Sequence, residues 1–307
     1  MKGIIRHEVS VHTGLNESII KKLAHYSFAK WIKACDRKYA VEIFTTNYDY
    51  LFEIGLESLD VPYYDGFTGS FEPFFNASSL EGFDYLPNQT KLWKIHGSLG
   101  LQEINSGFGN KIVRKGSGSE AQGLLVYPSM LKYSNSKKMP YAAYMDRLHG
   151  FLKQPDAVLF TCGYSFGDEH INERILSALS TDSTSHVYAF YYNKVGDTYT
   201  LTEDDKLAKI ALGNRRISAL GMRNAVIGSK YVTWKMDREP DKNDSLNVDW
   251  YFDADAPIND NVEINVEQKG DEVWTGRGNL SLPDFNKFVK FLDKMIPEGE
   301  WKGTDNG

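Results

Sequence analysis

Cysteine is almost missing from this chain: Cys35 and Cys162 are the only two among 307 residues, and they lie far apart. That excludes a disulfide framework and any four-cysteine zinc module, and it suits a reducing compartment. Long apolar runs are missing too. No run of eighteen or more apolar residues occurs, so no segment reads as a membrane span. The opening "MKGIIRHEVSVHTGLNESIIKK" has basic residues but neither the apolar core nor the cleavage site of a secretory signal. The expected location is the cytoplasm, where N-x-[ST] triplets such as those at Asn16, Asn76, Asn88 and Asn279 are chance occurrences. No Walker-type lysine loop or His-Glu-x-x-His spacing appears.

What is present is enough apolar material, 41% of residues, for one large domain or a domain with an appendage. The net charge of −6 is uneven. Between Met236 and Glu272 twelve acidic residues face Arg238, Lys242 and Lys269, a net −9 that leaves the rest of the chain at +3. Such a stretch repels nucleic acid and reads most simply as a solvated acidic face.

Apolar periodicity predicts a helix over 16–35, with Ile20, Leu23, Ala24, Phe28, Trp31 and Ile32 on one stripe and Asn16 as cap. "AVEIFTT" (40–46) reads as a short buried strand, followed by a helix from Tyr48 to about Leu56. "YYDGF" (63–67) reads as a turn, the stretch to Pro87 as irregular, "LWKIHGS" (92–98) as a strand and 103–123 as a mobile loop. "LLVYP" (124–128) reads as a strand and 139–153 as a helix. The clearest unit is "DAVLFTCGYSFGDEHINERILSAL" (156–179): apolar strand, glycine turn, and a helix burying Ile171, Ile175, Leu176 and Leu179. "HVYAFYY" (186–192) adds a strand and 204–212 a short helix.

After Met236 the texture changes. "VDWYFDAD", "VEINVEQKG" and "EVWTGRG" alternate with period two, like an antiparallel set, and a last helix is expected over 282–296 with Ser281 as cap. The expected fold class is α/β: a Rossmann-like, doubly wound, mainly parallel sheet (1–235), with an acidic β-rich extension and terminal helix (236–307).

Three polar clusters end predicted strands: Thr45-Thr46-Asn47-Tyr48-Asp49, His96-Gly97-Ser98 and Gly163-Tyr164-Ser165. Carboxyl ends of parallel strands are where such sheets bind ligands. A glycine turn at a helix start suits a phosphate, because backbone N–H groups point at it. His96 suits proton transfer near neutral pH. Asn47 and Asp49 suit hydrogen bonds to sugar hydroxyls or to a positioned water.

In this order and spacing, "TTNYD", "IHGS" and "GYSFGDEHI" resemble the sirtuin-like family, and within it the bacterial branch that hydrolyses NAD in anti-phage defence. The resemblance covers about 40–230, and "VPYYDGF" and "LLVYPSMLKY" share it. It implies NAD as substrate. Asn47 would hold the nicotinamide ribose or the attacking water, with Asp49 helping to fix that arrangement. His96 would act as general base, with Thr45, Thr46 and Gly97 lining the same site. Gly163 and Ser165 would contact the phosphates or the adenosine half. It also implies partners: a homo-oligomer or a second defence protein, with no membrane and no nucleic acid.

Two departures shape the expectation. Sirtuin deacylases carry a four-cysteine zinc module that two cysteines cannot build, so no zinc is expected, and hydrolysis of NAD is favoured over deacylation. The family also begins with a strand and a Gly-Ala-Gly-type phosphate loop ahead of the Asn motif. No such loop occurs in the 46 residues before Asn47: "HTGLNES" is not one, and "GSGS" (116–119) is misplaced. The expectation is a piece of a longer enzyme. The rivals are a non-catalytic NAD- or ADP-ribose-binding module, and an unrelated Rossmann-like nucleotide enzyme.

Plainer readings stand beside these. "TTNYD" alone makes a capping turn, His96 alone is a satisfied structural histidine, and Asp168 is an N-cap. Glu169, His170 and Cys162 do not make a metal site, and "DADAP" (253–257) reads as an acidic turn.

Overall fold

The strand expected at 40–46 forms as β1 (Glu42–Thr45) in the computed structural model, and the elements around it follow from where apolar side chains find cover. The structure describes residues 8–107, 109–116, 124–125, 139–179, 184–193, 201–241, 243–244, 246–253 and 276–297. The chain divides into two units: 1–151 with 170–178 and 295–307, and 152–169 with 179–294. This division follows spatial contacts, whereas the segments 1–235 and 236–307 follow composition. No helix among the described residues is long and apolar enough to cross a membrane.

In the first unit the helix expected over 16–35 is two helices, α1 (Glu17–Ile20) and α2 (Ala24–Ala34). Asn16 caps α1 as expected, accepting from the Ile19 N–H. The break falls at Leu23, whose extended backbone starts α2 afresh. After β1 come α3 (Leu51–Glu57), β2 (Tyr63–Tyr64), β3 (Phe67–Thr68), β4 (Phe74–Phe75) and α4 (Ser78–Glu81). The turn expected at 63–67 is therefore narrower, Asp65 and Gly66 between two short strands, with Gly66 at φ +92°.

Next come β5 (Thr90–Lys94), β6 (Gly97–Ser98), β7 (Leu101–Ser106), β8 (Gly109–Arg114), β9 (Leu124–Leu125) and α5 (Tyr141–Leu152). β1, β5 and β2 form a parallel sheet in that order. Ile43 and Leu92 pack from it against Ala29, Ile32, Leu56, Leu59 and Val61. The stretch read as a mobile loop is, over 101–114, an antiparallel hairpin that closes at the Ser106–Gly109 pair; 117–123 lie outside the described residues. β7 and β8 join β3 and β4 in a four-stranded sheet, and β6 pairs with β9.

The second unit holds β10 (Val158–Cys162). The helix after it, α6 (Glu169–Leu179), falls for most of its length (170–178) in the first unit. There Arg174 lies 3.0 Å from Asp146, and the Ser177 hydroxyl 3.2 Å from His149 Nδ1. β11 (His186–Tyr191), α7 (Lys206–Gly213), β12 (Ile217–Gly221), β13 (Asn224–Ile227) and β14 (Lys230–Thr233) follow. The sheet runs β10-β11-β12-β13-β14, parallel over the first three strands and antiparallel over the last two. Val187, Ala189, Ile217, Ala219 and Val226 are fully buried on one of its faces.

Of the period-two set expected after Met236, the described part is β15 (Phe252–Asp253) pairing with β16 (Asn279–Leu280). "VEINVEQKG" and most of "DADAP" lie outside the described residues. The last helix is α8 (Phe285–Lys294), shorter than 282–296. Its cap is Asp284, which accepts from the N–H groups of Asn286 and Lys287, rather than Ser281. Phe288 seats α8 against Phe190 and Phe160, at 5.1 and 6.1 Å between ring centres. The α/β class with parallel strands is thus present in both units.

Candidate functional site

The first cluster is built by register. β1 and β5 are parallel neighbours whose last paired residues are Thr45 and Lys94, and the Ile95 N–H donates to the Thr45 carbonyl at 2.9 Å. Asn47 and His96 each lie two residues beyond that pair, so the structure brings them to the same end of adjacent strands. The strand expected over 92–98 stops at Lys94, and His96 sits in the turn before β6, where Gly97 at φ +93° reverses the chain. A positive φ of that size is strained for any residue with a Cβ.

Asn47 is exposed, His96 half-buried, and Thr45 and Gly97 buried. The Thr45 hydroxyl accepts from the Asn47 N–H at 3.1 Å, which turns the chain out of the strand. Asp49 Oδ1 accepts from the Leu51 N–H at 2.9 Å, the turn-capping role of the plainer reading. Thr46 is half-buried between them. A carboxamide exposed past one strand end and an imidazole half-buried past the neighbouring one suit holding a hydroxyl or water while a proton leaves it.

Two residues beneath this cluster escaped sequence reasoning. Lys94, at the end of β5, lies 3.0 Å from Glu53 Oε1, and its Nζ also donates to the Asp49 carbonyl. Burial raises the Glu53 carboxyl above the usual carboxylate range, with the Lys94 ammonium opposing. The available signal was a lysine inside the otherwise apolar "LWKI", and a glutamate one helical turn after Asp49.

The second cluster belongs to the second unit. β10 and β11 are parallel neighbours, and beyond their carboxyl ends lies a small open cleft of about 180 Å³, lined by Gly163, Tyr164, Ser165, Phe190, Tyr191, Tyr192 and Asn193. Gly163, at φ +67°, faces open space where a Cβ would meet nothing, so a ligand's approach to the backbone is unobstructed. Ser165 is exposed. Opposite them the Tyr191 hydroxyl donates to Asp205 Oδ1 at 2.8 Å, and Asn193 Nδ2 lies 3.4 Å from that hydroxyl. Tyr191, Tyr192 and Asn193 were not expected; "YYN" at the end of an apolar strand repeats the strand-end pattern of the other clusters. The Asp168 carbonyl accepts from the Tyr164 hydroxyl at 3.0 Å. Among the described residues no three His, Cys, Asp or Glu side chains gather to hold a metal ion.

A family model described as "SIR2-like domain" matches residues 41–212, more than half of the chain and a span that includes all three clusters. No curated protein matches the sequence.

Proposed function

The chain belongs to the SIR2-like domain family, and from that premise we propose that it is an NAD hydrolase, releasing nicotinamide and ADP-ribose. The observation that carries the reading is the register of β1 and β5, which brings Asn47 and His96 to the same end of adjacent strands in a domain of a family whose members use NAD. In the proposed step the bond from the ribose C1′ to the nicotinamide nitrogen breaks, and the electron pair leaves with nicotinamide, which becomes neutral. The sugar passes through an oxocarbenium-like state. Water held by Asn47 adds to C1′, and its proton passes to His96, directly or through a ribose hydroxyl. Asp49 keeps the turn that presents Asn47. The cleft of the second unit, with an open glycine turn, a serine hydroxyl and the Tyr191–Asn193 edge, has the chemistry to take a phosphate or the adenosine ribose.

Hydrolysis is favoured over deacylation because Cys35 and Cys162 are the only cysteines. A role in bacterial anti-phage defence by NAD depletion follows from the resemblance of the motifs. A second reading is a module that binds NAD or ADP-ribose without cleaving it, for which the open cleft at Gly163 and the Tyr191–Asn193 edge would suffice.

The deciding experiment is nicotinamide release from NAD by the purified chain, with Asn47→Ala and His96→Ala beside it. A roughly 10²–10⁴-fold loss in His96→Ala is the expected size for removing a general base, and a comparable loss is expected in Asn47→Ala. No release by the unmodified chain, together with saturable ADP-ribose binding, would replace the hydrolase with the binding module.

A further inference from the structure

The loop that carries Asn47 is tied down by the chain that carries His96. The Leu99 N–H, three residues after His96, donates to the Tyr48 carbonyl at 3.2 Å. Two residues before His96, Lys94 Nζ donates to the Asp49 carbonyl. The two ties flank the histidine along one stretch of chain and meet the 46–50 loop on consecutive carbonyls.

The second tie is a costly choice if packing were its only purpose. The Lys94 side chain is 6% exposed and its partner Glu53 16%. Desolvating two charges is expensive, and a buried ion pair is often no more stabilising than apolar residues of the same volume. The neighbours Leu92 and Trp93 are fully buried, so an apolar side chain would fit that environment. Glu53 Oε2, moreover, is buried and finds no hydrogen-bond partner among the described residues. The carboxylate thus spends one oxygen on Lys94 and leaves the other unsatisfied, which costs stability. A lysine held this way has its ammonium fixed at one place, under the carbonyl at the foot of the Asn47 turn.

We propose that Lys94 is a positioning residue: anchored by Glu53, its ammonium clamps the Asp49 carbonyl and so holds the Asn47 loop in register with His96. The proposal rests on the reading of that strand end as the hydrolytic centre. Lys94 touches no reacting atom. Its effect runs through the orientation of the Asn47 carboxamide, so it should act on turnover more than on the affinity for NAD.

The test uses the whole chain with Lys94→Met and Glu53→Met combined, which removes both charges and leaves no orphaned ion, and with Glu53→Gln alone, which keeps the ammonium. Amide hydrogen exchange is read at Asn47, Leu51 and Leu99, with Leu92 and Trp93 in the β5 ladder as internal controls. In the double variant, exchange at Asn47 and Leu51 should quicken about tenfold or more, as expected for losing a charge-assisted bond, while the controls hold. Its kcat for nicotinamide release should fall at least about tenfold with KM within about twofold. Glu53→Gln, which keeps an acceptor for the ammonium but not the countercharge, should move both properties in the same direction by a smaller factor.

Unchanged exchange in a folded double variant overturns the clamp, as does an undiminished kcat. If the double variant does not fold, Glu53→Gln decides: faster exchange at Asn47 and Leu51 with a lowered kcat supports the clamp, and either property unchanged overturns it. If the unmodified chain releases no nicotinamide, it is the hydrolase reading that fails, and the exchange measurement alone decides whether Lys94 positions the loop.

Discussion

Replacing Arg147 by methionine should cost the protein a large part of its stability, and the size of the loss follows from what the guanidinium touches. Arg147 is 4% exposed. Its Nε and Nη2 reach the two oxygens of Glu42 at 2.9 and 2.5 Å, and Nη1 reaches the carbonyls of Leu80 and Gly82 at 3.2 and 2.9 Å. The plane lies 3.8 Å over the Phe83 ring. Without it the buried Glu42 carboxylate keeps the Trp93 indole N–H, at 2.8 Å, as its remaining side-chain donor among the described residues. Removing one partner of a buried pair costs about 3–5 kcal/mol, against a total of about 5–15 kcal/mol for a typical domain. At roughly 2–4 °C per kcal/mol for a chain of this class, the melting temperature should fall by about 10 °C. The assay is urea and thermal unfolding of Arg147→Met, Arg147→Lys and the double variant Glu42→Gln/Arg147→Met. Lysine should recover little, because it cannot make the planar two-pronged contact, whereas the double variant should recover much of the loss, because no buried charge is stranded. A loss below about 1 kcal/mol for Arg147→Met, or a double variant as unstable as the sum of its parts, would refute the reasoning. The clamp also matters for the site, since Glu42 and Trp93 lie on the two strands that end at Asn47 and His96.

Three further outcomes are expected. Burial holds the His25 imidazole below the ordinary histidine value of 6.5, with the Asp49 carboxylate opposing and the Lys94 ammonium reinforcing the shift; the unfolded chain therefore takes up its proton first as pH falls, so stability should drop below about pH 6.5 and level off at the folded value, and His25→Gln should flatten that slope in urea titrations. Gly55→Ala would set a Cβ 2.6 Å from the His25 carbonyl oxygen, forcing α2 and α3 apart at a cost of about 1–3 kcal/mol that outweighs alanine's better helix propensity; an unchanged urea midpoint would count against that contact. Burial pushes the Cys162 thiol from 9.0 up to about 12, so at pH 8 its alkylation by iodoacetamide, followed by mass spectrometry, should run about a thousandfold slower than for an unfolded control.

How much of this was legible in the sequence depends on whether the signal was local. β1, β10 and β11 could be read because each is a continuous apolar run that ends abruptly in polar residues, and the candidate site residues could be read for the same reason. The β7–β8 hairpin could not, because Glu103, Asn105, Asn110 and Lys111 make both strands polar and leave no apolar alternation to detect. The role of Lys94 could not be read, since its partner Glu53 lies in a different element. The arrival of Asn47 and His96 at neighbouring strand ends is the plainest case. Three short strands and two helices intervene between β1 and β5, yet β5 inserts between β1 and β2. A strand's end can be read from its own residues; its neighbour cannot. Had β2 been the partner of β1, as chain order alone would suggest, Asn47 would lie beside the Tyr64–Gly66 turn, with no imidazole next to it. The proposed chemistry therefore depends on sheet order, and substitutions that disturb the β1–β5 register should abolish turnover even when Asn47 and His96 are both intact.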